Sequence, residues 1–302
     1  MRKTMKDSAT SDPIQKMIAW ATAKDAIRAV LLTSNRAIQG SEVDALSDYD
    51  VILVLQDIHP FVAEHAWLSD FGEVLITYWD PVHPDPQFGI EQCANVTQYT
   101  SGLKIDFTLW PVSLLERIVA EPTLPAELDA GYTVLLDKDH FTDAMHSPTG
   151  KAYVPVQPTL ATYQLLINDF LSDAPYVAKC LWRDELMPAK WCLDYDMKHV
   201  YLRQVLEWHV ETDHNWSLPV KNLGKGLKKH LSKDIWSALE QTYAGGRISD
   251  NWQALERTME LFRQVSHEVG EHLGYSYPDE LHMRVCEYIQ HIRQMSKPLI
   301  KD

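Results

Sequence analysis

Asp48-Tyr49-Asp50 opens directly onto the apolar run Val51-Ile52-Leu53-Val54-Leu55, and a third aspartate recurs inside Lys104-Ile105-Asp106-Phe107-Thr108-Leu109. An apolar, largely β-branched run of this length reads as a buried strand, and residues i and i+2 of a strand share one face. Asp48 and Asp50 therefore stand side by side, and a neighbouring strand carrying Asp106 brings a third carboxylate against them. Such a trio repels itself unless a cation sits between its members. Hard oxygen ligands with open positions suit Mg²⁺, which takes one or two carboxylates, waters and substrate phosphates. An aspartate between Ile105 and Phe107 is costly to bury without a partner. The pattern points to a site for phosphoryl or nucleotidyl transfer at the end of a sheet.

The two halves of the chain differ in periodicity. In the first, residues Ile14–Ala21 have helical spacing, and Ile27–Thr33 and Asp50–Leu55 read as strands. Pro60–Asp70 reads as a helix closed by Gly72, followed by a strand over Glu73–Trp79 and a proline-interrupted loop over Pro81–Pro86. Strands over Asn95–Thr100 and Leu103–Trp110 join through Ser101-Gly102 as a hairpin. A helix over Val112–Ala120 and a short strand over Tyr132–Leu136 complete an α/β domain with a mixed sheet and flanking helices. Between His140 and Pro158, glycine and prolines without periodicity read as a linker. Beyond it the pattern is helical almost throughout, over Leu160–Phe170, Tyr176–Leu186, Cys192–Val210, Trp252–Leu273 and Tyr288–Met295, with Pro278 as a break. The expected division is residues 1–150 as a catalytic α/β domain and residues 151–302 as an all-α helical bundle that binds substrate and nucleotide.

The formal net charge of −14 argues against a nucleic-acid binder, whose affinity needs a basic surface, and is compatible with a small cationic substrate. It equally serves solubility. No stretch is long and apolar enough to span a membrane, and no apolar signal core follows the basic start, so no membrane partner is expected. Cys93, Cys180, Cys192 and Cys286 lie far apart and read as scattered thiols of a reducing compartment. A cytoplasmic protein is expected.

Upstream of the aspartates, Leu31-Leu32-Thr33-Ser34-Asn35-Arg36 ends a strand in small polar residues and a cation, a turn able to offer donors to a triphosphate. A strand, a Ser-Asn-Arg turn, Asp-Tyr-Asp, a second strand and a later aspartate on a neighbour together resemble the nucleotidyltransferase superfamily. More specifically, the chain resembles the streptomycin (aminoglycoside 6-) adenylyltransferase family nearly end to end. The matches continue through Gly131–Asp139, Tyr176-Val177-Ala178-Lys179-Cys180-Leu181-Trp182-Arg183, Gly224-Lys225-Gly226-Leu227-Lys228-Lys229 and Leu273–Pro278. One departure stands out: the turn is usually Gly-Ser, and here it is Ser34-Asn35, which places a Cβ where backbone approaches phosphate.

The resemblance implies transfer of AMP from Mg²⁺-ATP to a hydroxyl of an aminoglycoside, with release of pyrophosphate. It implies Asp48, Asp50 and Asp106 as catalytic metal ligands, Asp106 being alternatively the general base. Ser34, Asn35, Arg36, Lys179, Arg183 and Lys225 are the expected nucleotide contacts, Lys225 lying in a basic stretch with Lys221, Lys228 and Lys229. A cationic sugar calls for carboxylates and flat aromatic faces. The helical half offers Asp169, Asp184, Glu185, Asp194 and Asp196 with Trp182, Trp191 and Tyr195 interleaved. Among these Trp182, Glu185, Asp194 and Tyr195 are the chosen substrate contacts. Two other readings stay open: the same chemistry with a different acceptor, and a nucleotide-binding pseudoenzyme, which only the Ser34-Asn35 departure supports.

Overall fold

Residues 12–38, 40–220 and 222–296 are described by the structure, a computed structural model. The basic start of the chain and Lys221 lie outside them. Contacts divide the chain into two units, Met1–Ala152 and Tyr153–Asp302.

In the first unit, helix α1 (Pro13–Thr22) is started by the Asp12 carboxylate, which accepts from the Ile14 N–H, and by Pro13 in the first turn. Strands β1 (Ile27–Thr33) and β2 (Tyr49–Leu55) follow, then a short helix α2 (His59–Ala63) and a 3₁₀ turn over Ala66–Phe71. The single helix expected over Pro60–Asp70 is thus broken at Glu64, whose backbone is extended. Trp67 turns inward there and donates its indole N–H to the Phe61 carbonyl. Next come β3 (Val74–Trp79), β4 (His83–Pro84), β5 (Glu91–Tyr99), β6 (Lys104–Pro111), α3 (Val112–Ala120), α4 (Ala126–Asp129) and β7 (Tyr132–Asp137). The two-residue β4 lies in the expected loop.

The sheet runs β3-β5-β6-β2-β1-β7, with β4 paired to β5. Only the central pair, β2 with β6, is parallel among the pairings of the described residues. Strict alternation gives the sheet two buried faces. Val30, Leu32, Val51, Leu53, Ile105, Phe107 and Leu109 pack towards Met17 and Ala21 of α1 and the 66–71 turn. Ala29, Leu31, Ile52, Val54 and Trp110 pack on Leu114, Leu115 and Ile118 of α3. β1 and β2 are covered on both sides, so Ala29–Leu32 and Val51–Leu55 are apolar throughout, whereas β6 alternates, with Asp106 and Thr108 between Ile105, Phe107 and Leu109.

The second unit is helical: α5 (Leu160–Trp182), α6 (Leu186–Lys190), a π-helical segment (Trp191–Leu202), α7 (Arg203–Thr212), α8 (Leu227–His230), α9 (Lys233–Gln241), α10 (Ile248–Leu273) and α11 (Asp279–Gln294). Two differences from the expected helices have physical causes. The first two expected helices are one, α5, which runs through Pro175. Pro175 donates nothing to the Leu171 carbonyl, a loss of roughly 3 kcal/mol, but Leu171, Ala174, Val177 and Ala178 are all buried beside it and hold the helix in line. The expected Cys192–Val210 helix is π-helical in its first part. Its buried residues Cys192, Leu193, Met197, Lys198 and Leu202 recur at intervals near five, a spacing that i→i+5 hydrogen bonding keeps on one face and a 3.6-residue turn does not.

Phe170 of α5 and Phe262 of α10 stack with centroids 3.5 Å apart, and the Tyr163 hydroxyl donates to the Ser266 carbonyl at 2.8 Å. Gly270 permits this approach, since a Cβ there falls 2.7 Å from the Tyr163 hydroxyl. Among the described residues, no helix is long and apolar enough to cross a membrane.

His282, buried in this core at 4% exposure, shares a 2.8 Å hydrogen bond with the Tyr277 hydroxyl. Burial, with a smaller contribution from Arg263, drives its pKa down from 6.5 to about 4 against the opposing pull of Asp279. The folded chain keeps His282 neutral while the unfolded chain takes up a proton near pH 6.5. Stability is therefore intact above that pH and falls as pH drops towards about 4, by roughly 3 kcal/mol from this residue. Urea unfolding of the protein and of His282→Gln at pH 7 and pH 4.5 checks this: the variant should lose markedly less stability on acidification.

Candidate active site

Three strand ends converge because of how β1, β2 and β6 run. Parallel pairing puts the starts of β2 and β6 at the same end of the sheet, with Asp50 directly opposite Asp106. Antiparallel pairing returns the end of β1 to that place, with Thr33 opposite Asp50. Asp50 and Asp106 share the sheet face of Ile52, Val54 and Trp110, and Asp48 and Lys104 join them by the two-residue period.

Lys104 is the residue that the motif search missed, although its position two before Asp106 was a legible signal. Its ammonium lies 2.6 Å from Asp48 Oδ2 and 2.8 Å from Asp106 Oδ2, holding the two carboxylates together. The pairing outweighs the cost of burial and raises the Lys104 pKa, so the residue is charged. Asp106 Oδ1 is buried with no hydrogen-bond partner. Burial, and then the charges of Asp106 and Asp48, raise the Asp50 carboxyl above the usual range, with the Ser34 side chain and Lys104 partly opposing them.

Ser34 takes a left-handed backbone (φ 59°), a conformation ordinarily left to glycine. Its side chain hydrogen-bonds Asp50, so the hydroxyl is engaged with a carboxylate. Asn35 occupies the middle of the 3₁₀ turn Ser34–Arg36. Arg36 folds back along the chain: Nε donates to the Asp48 carbonyl at 2.9 Å and Nη2 to the Ser47 carbonyl at 2.7 Å, while the guanidinium lies 3.8 Å from the Tyr49 ring centroid. In this geometry Arg36 fixes the Ser47-Asp48-Tyr49 backbone, with its Nε and one Nη2 donor committed to that task.

In the helical unit the expected residues divide into committed and open. Lys179 is exposed beside Tyr288, with Nζ 5.9 Å from that ring, and exposed Arg183 caps α5, its N–H bonding the Lys179 carbonyl. Lys225 is exposed in the loop between Gly224 and Gly226. Trp182 donates its indole N–H to the Met295 carbonyl. Asp194 is clamped by two ammonium groups, Lys190 and Lys198, each at 2.6 Å. Glu185 is exposed at the start of α6. Tyr195 is 49% exposed and lies 5.1 Å from Trp191, itself 66% exposed. Among the described residues, Asp173, Cys192 and Asp196 form the one trio of potential ligand atoms within 4.8 Å of one another. Burial first, and then Asp173 and Asp196, push the Cys192 thiol up.

The donor set at the sheet end does fit a divalent cation. It is made of hard carboxylates, one Asp106 oxygen is orphaned in the interior, and the gap between Asp48 and Asp106 already carries positive charge. Asp48, Asp50 and Asp106 are residues whose chemistry suits such an ion, although with Lys104 between two of them they do not form a trio of ligand atoms within 4.8 Å of one another.

Comparison with known proteins places this arrangement. The profile of the family described as streptomycin adenylyltransferase matches residues 8–292. The chain is 29% identical to an aminoglycoside 6-adenylyltransferase of Bacillus subtilis over 262 residues, 86% of this chain and 89% of that one. With an aminoglycoside 6-adenylyltransferase of Campylobacter jejuni it is 28% identical over 291 residues, 95% and 96% of the two chains. With the protein of the same name from Staphylococcus aureus it is 24% identical over 266 residues, 86% and 90%. A profile match that spans both units makes the chain a member of the streptomycin adenylyltransferase family and an enzyme of nucleotidyltransferase type.

Proposed function

We propose that this enzyme transfers AMP from Mg²⁺-ATP to a hydroxyl of an aminoglycoside such as streptomycin and releases pyrophosphate. The observation that carries the reading is the register of β2 on β6, which sets Asp50 against Asp106 with Asp48 alongside. Asp48, Asp50 and Asp106 would hold a divalent cation, which when bound would supply Lewis-acid charge to the triphosphate and the departing pyrophosphate. The Ser34–Arg36 turn puts the Ser34 side chain on Asp50, while Arg36 keeps the Asp48 backbone in place. In place of a third cation ligand, Asp106 is alternatively the general base for the acceptor hydroxyl.

For the acceptor, the helical unit's own charges are informative. Asp194 has spent its charge on Lys190 and Lys198. Asp169, Asp173 and Asp196 have no ion pair among the described residues, and burial together with Asp196 and Asp169 raises the Asp173 carboxyl. Carboxylates without a cation suit the amines and guanidines of an aminoglycoside better than the doubly paired Asp194 does, and the exposed rings of Trp191 and Tyr195 offer flat faces. Lys179, Arg183 and Lys225 remain exposed cations suited to phosphate.

Two outcomes are expected. Pyrophosphate release from Mg²⁺-ATP should require an aminoglycoside, and Asp50→Asn should lower it by about three orders of magnitude while the circular dichroism melt keeps its shape. Release independent of aminoglycoside, or an active Asp50→Asn, contradicts the reading. Separately, the double substitution Asp173→Asn/Asp196→Asn should raise the KM for streptomycin about tenfold and leave the KM for ATP unchanged in steady-state assays.

A further inference from the structure

Lys104 sits where a bound cation belongs. Its ammonium is in hydrogen-bond contact with one oxygen of Asp48 and one of Asp106, and its side chain is 28% exposed, at the lip of the site rather than sealed within it. It shares a strand face with Asp106, so the strand itself delivers the charge to this point. Without that charge, three carboxylates face one another with only Ser34 to offset them.

We infer that Lys104 is a tethered counter-ion that a divalent cation must displace from Asp48 and Asp106, and that its release couples cation binding to nucleotide binding. The inference rests on the reading of the three aspartates as a cation site. A bare divalent ion meets two carboxylate oxygens already engaged, and it brings no anion for the ammonium it expels. An ion arriving on a polyphosphate brings that anion with it. The expelled ammonium then pairs with phosphate, and part of the cost of displacement is offset. Bare metal therefore binds weakly, metal with nucleotide binds strongly, and each raises the affinity of the other by the same factor. Lys104 acts here as a positioning residue, and it excludes free cations from an acidic site in an acidic protein.

The test is a Mn²⁺ titration followed by electron paramagnetic resonance, with and without α,β-methylene ATP, on the wild-type protein, Lys104→Gln and Lys104→Arg. Lys104→Gln should bind Mn²⁺ alone at least about tenfold more tightly than wild type, since one competing charge is gone. The further gain on adding nucleotide should shrink by a similar factor, and Lys104→Arg should behave as wild type. Unchanged or weaker Mn²⁺ binding by Lys104→Gln overturns the inference. Failure of all three proteins to bind Mn²⁺, with or without nucleotide, overturns it together with the reading of the aspartates as a cation site. The expected Mn²⁺ behaviour without any aminoglycoside turnover leaves the inference standing and removes only the choice of acceptor. Should Lys104→Gln not fold, the wild-type protein still decides. Its Lys104 ¹⁵Nζ resonance, set by two carboxylates, should shift when Mg²⁺ and α,β-methylene ATP are added together, as the ammonium exchanges carboxylate for phosphate. Mg²⁺ alone should leave it in place, and a resonance unmoved by the pair overturns the inference.

Discussion

Parallel pairing of β2 with β6, in the register that sets Asp50 opposite Asp106, is the constraint on which the site depends. A shift of one residue turns every side chain of a strand to the other face. It would turn Asp50 and Ile52 together into the face packed around Val51 and Leu53. The register is held by the apolar stacks on both faces, Val51, Leu53, Phe107 and Leu109 on one and Ile52, Val54 and Trp110 on the other. Hydrophobic packing below thus carries the electrostatic work above. Carboxylates that repel one another remain together because the strands beneath them have nowhere else to go, and Lys104 and Ser34 relieve part of the strain.

The turn from β1 shows the same economy of parts. Arg36 anchors Ser47 and Asp48 through their carbonyls and covers Tyr49, so the residues that present Asp48 are ordered by a cation from a different strand end. Ser34 accepts a left-handed backbone and in return brings its hydroxyl to Asp50. At the position where glycine is usual, this chain trades backbone freedom for a donor.

The mixed sheet followed by helices was legible in the sequence because it rests on periodicity: β1, β2, β6 and α3 lie within a residue or so of where apolar spacing put them. The two-residue spacing of Asp48 and Asp50 likewise foretold a shared face. What escaped the reading depends on partners distant in the chain. No local signal says that Lys104 reaches Asp48, 56 residues away, or that Arg36 turns inward to backbone carbonyls. Pro175 marks a helix end by local rules, and burial on either side overrides it. The π-helical segment hides for a related reason. Its apolar residues recur near every fifth position, which looks like weak α-helical patterning until the hydrogen bonding is known. Carboxylates in the helical unit carried the same ambiguity. Asp194 and Asp196 are alike in sequence, yet one is neutralised by two lysines and the other has no ion pair among the described residues.

An acidic cluster fed by three strand ends invites a direct look at where a cation goes. The decisive measurement is anomalous diffraction from crystals of the protein with Mn²⁺ and α,β-methylene ATP. A manganese peak bounded by Asp48, Asp50 and Asp106, with the Lys104 ammonium moved onto phosphate, is the expected result. A peak elsewhere, such as beside Asp173 and Asp196, with Lys104 still bridging Asp48 and Asp106, contradicts it.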